Sequence, residues 1–158
     1  MTMTTQEKEL VAVAISVAAG CRPCTTYHLT QARRAGAIDA AIEKVVAGAI
    51  CVRTSATEGM RRHALGLEPQ KNGCGCPSAE VVEELAALGA SLAVNCTQNI
   101  DKHLAAARIL GVPQEDLDEV AALTAHIRAR DWRACAPPRR AHRTPSVSRA
   151  LRNPTNLE

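Results

Sequence analysis

At 158 residues the chain is long enough for one compact domain or for two small fused units. Its 46% apolar content includes no Phe, one Tyr and one Trp, which argues against an all-β core and against the base-stacking platforms of nucleic-acid modules. The formal net charge of +3 is unevenly spread: residues 133–158 hold six arginines against one acidic residue, whereas the first 132 residues carry 13 basic and 15 acidic groups.

Thr4, with Glu7 three residues later, forms a capping-box start, and the periodicity that follows predicts a helix over 5–19 that turns at Gly20. No apolar run approaches the roughly 20 residues of a membrane span, so no membrane partner is expected. The next stretch, CRPCTTYH, predicts a second helix over 22–35 with Pro23 in its first turn, where a missing N–H costs nothing. Cys21, Cys24 and His28 then share one face, because residues three and four apart are neighbours on a helix. Glu9, twelve residues before Cys21, lies about 15 Å back from the turn and His28 about 10 Å beyond it if the two helices are antiparallel, so carboxylate and imidazole come level. A carboxylate beside an imidazole beside a thiol is a means of making a thiolate at neutral pH.

Gly36 stops the second helix, and Asp39 opens a third, with Ile42, Val45, Val46, Ala49 and Ile50 in helical period. Cys51 reads as a small buried apolar side chain there. Ser55–Leu67 reads as a separate helical segment whose Arg61, Arg62 and His63 are either a solvated face or an anion contact. Residues 68–77, EPQKNGCGCP, form a turn-rich linker, and Pro77 and Ser78 open the helix that follows it. A final helix is expected over 112–130. After Trp132 the composition becomes basic and Pro-rich, which predicts a disordered tail over 133–158, a peptide that docks to a larger assembly or a weak polyanion contact.

The chain repeats itself. An offset of 75 residues takes Glu9 to Glu84, Ser16 to Ser91, Cys21 to Cys96, His28 to His103 and Gly36 to Gly111, with 11 of 28 pairs identical between 9–36 and 84–111. Gly20 maps to Asn95, the two residue types that best tolerate a left-handed helix end. Cys24 maps to Asn99, so the second copy keeps the carboxylate, one thiol and the imidazole without a dithiol. The boundaries are a first repeat over 1–67 with the redox motif, a linker over 68–77, a degenerate second repeat over 78–132 and the tail. Glu84 and His103 are expected to be a satisfied buried pair, with a working relay as the alternative, and Cys96 either a remnant or an accessory thiol.

The pattern E-x11-C-x2-C-x3-H resembles the signature of the alkyl hydroperoxidase D and carboxymuconolactone decarboxylase superfamily, over roughly residues 5–130. That resemblance implies an all-α fold of tandem duplicated helical units. It also implies a thiol-dependent peroxidase or thiol–disulfide oxidoreductase in which Cys24 attacks, Cys21 resolves and Glu9 and His28 relay protons. Its partners would be a peroxide or small disulfide as substrate, an external dithiol as reductant and further copies of the chain, most simply a trimer; no cofactor is implied. Pro23 stands where some members carry another histidine.

Two further readings stand beside it. Lactone decarboxylation fits the fold, though CRPC counts against it. A soft-ion site for Cu(I), Zn(II) or As(III) fits the thiols, with Cys74 and Cys76 as donors and Cys96 as a candidate third, or with Cys21 and Cys24 completing a four-thiol set. The odd number of cysteines, seven, without a secretory context points to reduced thiols and a cytoplasmic location.

Overall fold

Helix one forms because Thr4 and Glu7 satisfy each other's backbone. The Glu7 N–H donates to Thr4 Oγ1 at 3.3 Å, and the Thr4 N–H donates to Glu7 Oε2 at 2.7 Å. The computed structural model describes residues 2–69, 73–76 and 80–129. Within them the chain forms α1 (Thr5–Ala19), α2 (Arg22–Arg34), α3 (Asp39–Ala64), α4 (Val81–Ala93), α5 (Thr97–Ile109) and α6 (Gln114–Ala129), with no strand among the described residues. The opening of the second repeat at Pro77 and Ser78, and the basic tail, lie outside the described residues.

The repeat read from the sequence is a repeat of structure, α1–α2–α3 followed by α4–α5–α6. Gly20 (φ 74°) and Asn95 (φ 56°) both take the left-handed conformation where the first helix of each unit turns into the second. The offset of 75 extends into the third helices: Arg53 Nη1 donates to the carbonyls of Val17 and Ala18 at 3.3 and 3.1 Å, and Arg128 Nη1 to that of Leu92 at 3.4 Å. Each arginine satisfies open carbonyls at the end of its own unit's first helix.

The central pair is α1 against α4. Each first helix also packs on the second and third helices of its own unit and on the third helix of the other, α3 on α4 and α6 on α1. That position explains why α1 is apolar on nearly every side: Leu10, Val11, Val13 and Ile15 are buried. Burial of each such side chain contributes about 1.5–3 kcal/mol. Aromatic-free packing needs close approach, and Gly89 supplies it in α4: a Cβ there would lie 2.8 Å from Ile15 Cγ1 and 3.3 Å from Val120 Cγ1.

Two expectations need correction. Ser55–Leu67 is not a separate helix, since α3 runs unbroken from Asp39 to Ala64. Neither Pro nor a left-handed glycine interrupts it, and the Thr57 hydroxyl donates back to the Arg53 carbonyl at 2.9 Å instead of capping a new start. Cys51 is only partly buried and forms a disulfide with Cys76, which brings the linker onto α3. The Arg61–Arg62 cluster is bonded locally, Arg61 to Glu58 at 2.7 Å and Arg62 to the Glu68 carbonyl at 2.7 Å. Among the described residues, no helix is long and apolar enough to cross a membrane.

Candidate functional site

Two sites occupy corresponding places in the two units, and they are built differently. In the first, Cys21 is the N-cap residue of α2. Its sulfur accepts the Cys24 N–H at 3.3 Å, and the two cysteines form a disulfide with Cα atoms 5.3 Å apart. The backbone N–H groups at this helix start favour negative charge on sulfur. One turn beyond Cys24, His28 Nδ1 lies 2.8 Å from Glu9 Oε2. With the carboxylate accepting from Nδ1–H, Nε2 is the ring nitrogen left to exchange a proton.

The two sulfurs differ in access. Cys24 is buried, 1% exposed, whereas Cys21 is partly exposed. Cys21 also lines a cavity of about 530 Å³ whose far wall is Ala93, Ile127 and Arg128 of the second unit. In this disulfide form an incoming group therefore meets Cys21 first.

In the second unit the corresponding carboxylate–imidazole pair is buried. His103 Nδ1 lies 2.5 Å from Glu84 Oε1, with both side chains 1–2% exposed. The ring's other nitrogen, Nε2, lies 2.9 Å from Cys74 Sγ, a thiol carried by the linker. Asn99, at the position of Cys24, accepts the Cys74 N–H on Oδ1 at 2.9 Å and donates from Nδ2 to the Val52 carbonyl at 3.4 Å. Lys102 Nζ donates to the Cys74 carbonyl and lies 4.0 Å from its sulfur.

Burial alone would raise the Cys74 pKa. The hydrogen bond to His103, the Cys76 backbone N–H and the charges of His103 and Lys102 outweigh it, and the thiol is lowered from its ordinary value. Burial likewise works against a charged His103, but its contacts with Cys74 and Glu84 push it up to about 9. Each group thus favours the charged form of the other, the imidazolium drawing the thiol down and the thiol drawing the imidazole up.

Of the residues singled out in the sequence, Glu9 and His28 meet, and Cys21 and Cys24 meet. Glu84 and His103 meet as a buried pair, and Cys74 completes it into a carboxylate–imidazole–thiol array. Cys96 is the N-cap residue of α5 and a free thiol. Cys74 and Cys76 gather Cys51, not Cys96: the three sulfurs of Cys51, Cys74 and Cys76 all lie within 4.8 Å of one another. With the Cys51–Cys76 bond reduced, these three could hold a thiophilic ion, a donor set that suits Cu(I) or As(III). The pairing of Cys74 with His103 was missed, although a signal existed: Asn99 in α5 stands where α2 carries the Cys24 thiol.

The sequence model of the carboxymuconolactone decarboxylase family matches residues 2–65 and again residues 79–134, one segment for each unit. Comparisons with curated proteins and with solved structures gave no match.

Proposed function

The chain belongs to the carboxymuconolactone decarboxylase family, and from that premise we propose that it is a thiol–disulfide oxidoreductase which reduces a peroxide at the Cys21–Cys24 pair. The observation that carries this reading is the disulfide at the start of α2, with one sulfur open to a cavity and the Glu9–His28 pair one turn away.

In the reductive half, a thiolate of an external dithiol attacks the accessible sulfur of Cys21, and Cys24 leaves as a thiolate. The second thiol of the reductant then displaces Cys21, giving the reduced pair and an oxidised reductant. In the oxidative half, the Cys24 thiolate attacks the peroxide, the O–O bond breaks, and the departing alkoxide takes a proton from the His28 imidazolium. Cys24 is left as a sulfenic acid. Cys21 attacks that sulfur, water leaves and the disulfide is restored. Glu9 holds His28 in the tautomer whose Nε2 accepts the thiol proton.

The test is peroxide consumption driven by a small dithiol, with the oxidation products mapped by mass spectrometry. Turnover that requires both cysteines is the expected result; turnover unaffected by Cys24→Ser would discard the reading. Lactone decarboxylation draws no support from a dithiol at this position.

A further inference from the structure

The thiol of Cys74 plays no part in the chemistry proposed at Cys21–Cys24, yet its surroundings are more completely built. Its sulfur lies 2.9 Å from His103 Nε2, behind which Glu84 holds Nδ1, and Lys102 adds a second positive charge 4.0 Å away. It is 1% exposed, so it is poorly placed for a bulky substrate from solution. What it does face is another sulfur pair: both atoms of the Cys51–Cys76 disulfide lie within 4.8 Å of it.

We propose that Cys74 is the nucleophile of a second thiol–disulfide exchange centre, whose substrate is the chain's own Cys51–Cys76 disulfide. The Cys74 thiolate attacks Cys51 Sγ, the Cys51–Cys76 bond breaks, and Cys76 departs as a thiolate. One S–S bond forms and one breaks, a thiolate enters and a thiolate leaves, and no external oxidant or reductant is consumed. Attack on Cys51 is the favoured direction, because joining Cys74 to Cys76 would close a small ring through Gly75 alone.

The exchange moves a thiolate from a buried position to a partly exposed one, since Cys76 is less enclosed than Cys74. His103 and Glu84 act as positioning residues: Glu84 holds the ring by Nδ1, and Nε2, 2.9 Å from the sulfur, is placed to take the thiol proton and to aim Cys74 at the pair. The second unit thereby performs thiol chemistry with a carboxylate and an imidazole from its helices and a nucleophile from the linker.

The experiment uses the full chain carrying Cys21→Ser and Cys24→Ser, so that its outcome is independent of the peroxidase reading. The protein is held in a glutathione redox buffer near neutral pH and acid-quenched at intervals, and its disulfides are located by tandem mass spectrometry. A Cys51–Cys74 bond is expected beside Cys51–Cys76, and His103→Gln should slow its appearance about tenfold by removing the imidazole placed to accept the thiol proton. Cys51 found with Cys76 alone, with Cys74 a thiol at every time point, overturns the proposal. A second variant guards against misfolding of His103→Gln: with Cys76→Ser added, Cys51 and Cys74 should join in full. If both stay reduced while the parent is fully oxidised, the proposal fails.

Discussion

Asn99 holds Cys74: its Oδ1 accepts the Cys74 backbone N–H at 2.9 Å, so the residue that replaces a dithiol cysteine in the second unit is the one that docks a thiol from the linker. Removing it should undo both effects. Asn99→Ala is expected to destabilise the fold by about 1–3 kcal/mol, the cost of a buried donor left without its acceptor. It should also free Cys74 from His103. A urea midpoint and the rate of Cys74 labelling check this; unchanged values in both would show that the linker is held elsewhere.

The Cys74–His103 pair predicts a distinctive titration. A histidine raised to about 9 contributes stability that is fully present below its unfolded value of 6.5 and is lost as pH rises through about 9. A lowered thiol contributes stability present above its unfolded value of 9.0 and lost as pH falls through its folded value. The two contributions are coupled, because each group stabilises the charged form of the other. His103 ring resonances should therefore report an imidazolium well above neutral pH, accompanied by thiolate absorbance, and Cys74→Ser should lower the histidine's midpoint. A wild-type His103 that titrates in the ordinary range contradicts the assignment.

At the first site, Cys24→Ser is expected to abolish peroxide and disulfide turnover, whereas Cys21→Ser leaves a single thiol that over-oxidises to the sulfinic acid. Glu9→Gln and His28→Ala should raise the pH at which the attacking thiol is alkylated without unfolding the chain. Mass spectrometry after one equivalent of peroxide separates the two sulfurs. Sulfenic acid found chiefly on Cys21 reverses their roles.

Gly89 tests the packing of α1 on α4. A methyl group there meets Ile15 Cγ1 at 2.8 Å inside a buried contact, and Gly89→Ala should cost about 1–3 kcal/mol despite the better helix propensity of alanine. Thermal unfolding measures it; a stabilised variant would mean that Ile15 has room to turn.

Self-association is the remaining expectation. The exposed Ile50, Met60, Leu65 and Leu67 on and just after α3 leave apolar area open to another copy. Light scattering should give a trimer, unchanged when the chain is cut before Arg133, and a monomer at micromolar concentration would remove the idea.

Much of this arrangement is legible in the residues because its signals are local or periodic. Thr4 with Glu7, Gly20 and Asn95 mark helix ends by their own chemistry, and the Glu9–His28 contact follows from helical rise on either side of a tight turn. Other features are not legible because they depend on long-range competition. Ser55–Leu67 reads as a segment of its own, but α3 has already begun and continues to Ala64. Cys51, Cys74 and Cys76 meet only because the linker folds back onto α3 and α5, and no periodicity in a turn-rich segment records where it will land. The missing thiol at Asn99 is the one local trace of that meeting.

The packing of α3 on α4 and of α6 on α1 bears on how the two sites came to differ. Two separate, identical chains interlocked in this way would carry the same change at both sites, since a single gene would write each of them. Joined in one chain, the halves are free to diverge. Cys24 can remain on α2 while its counterpart becomes Asn99, and a linker thiol can be recruited to one histidine and not to the other. Covalent fusion thus permits a division of labour that an assembly of equal subunits cannot express.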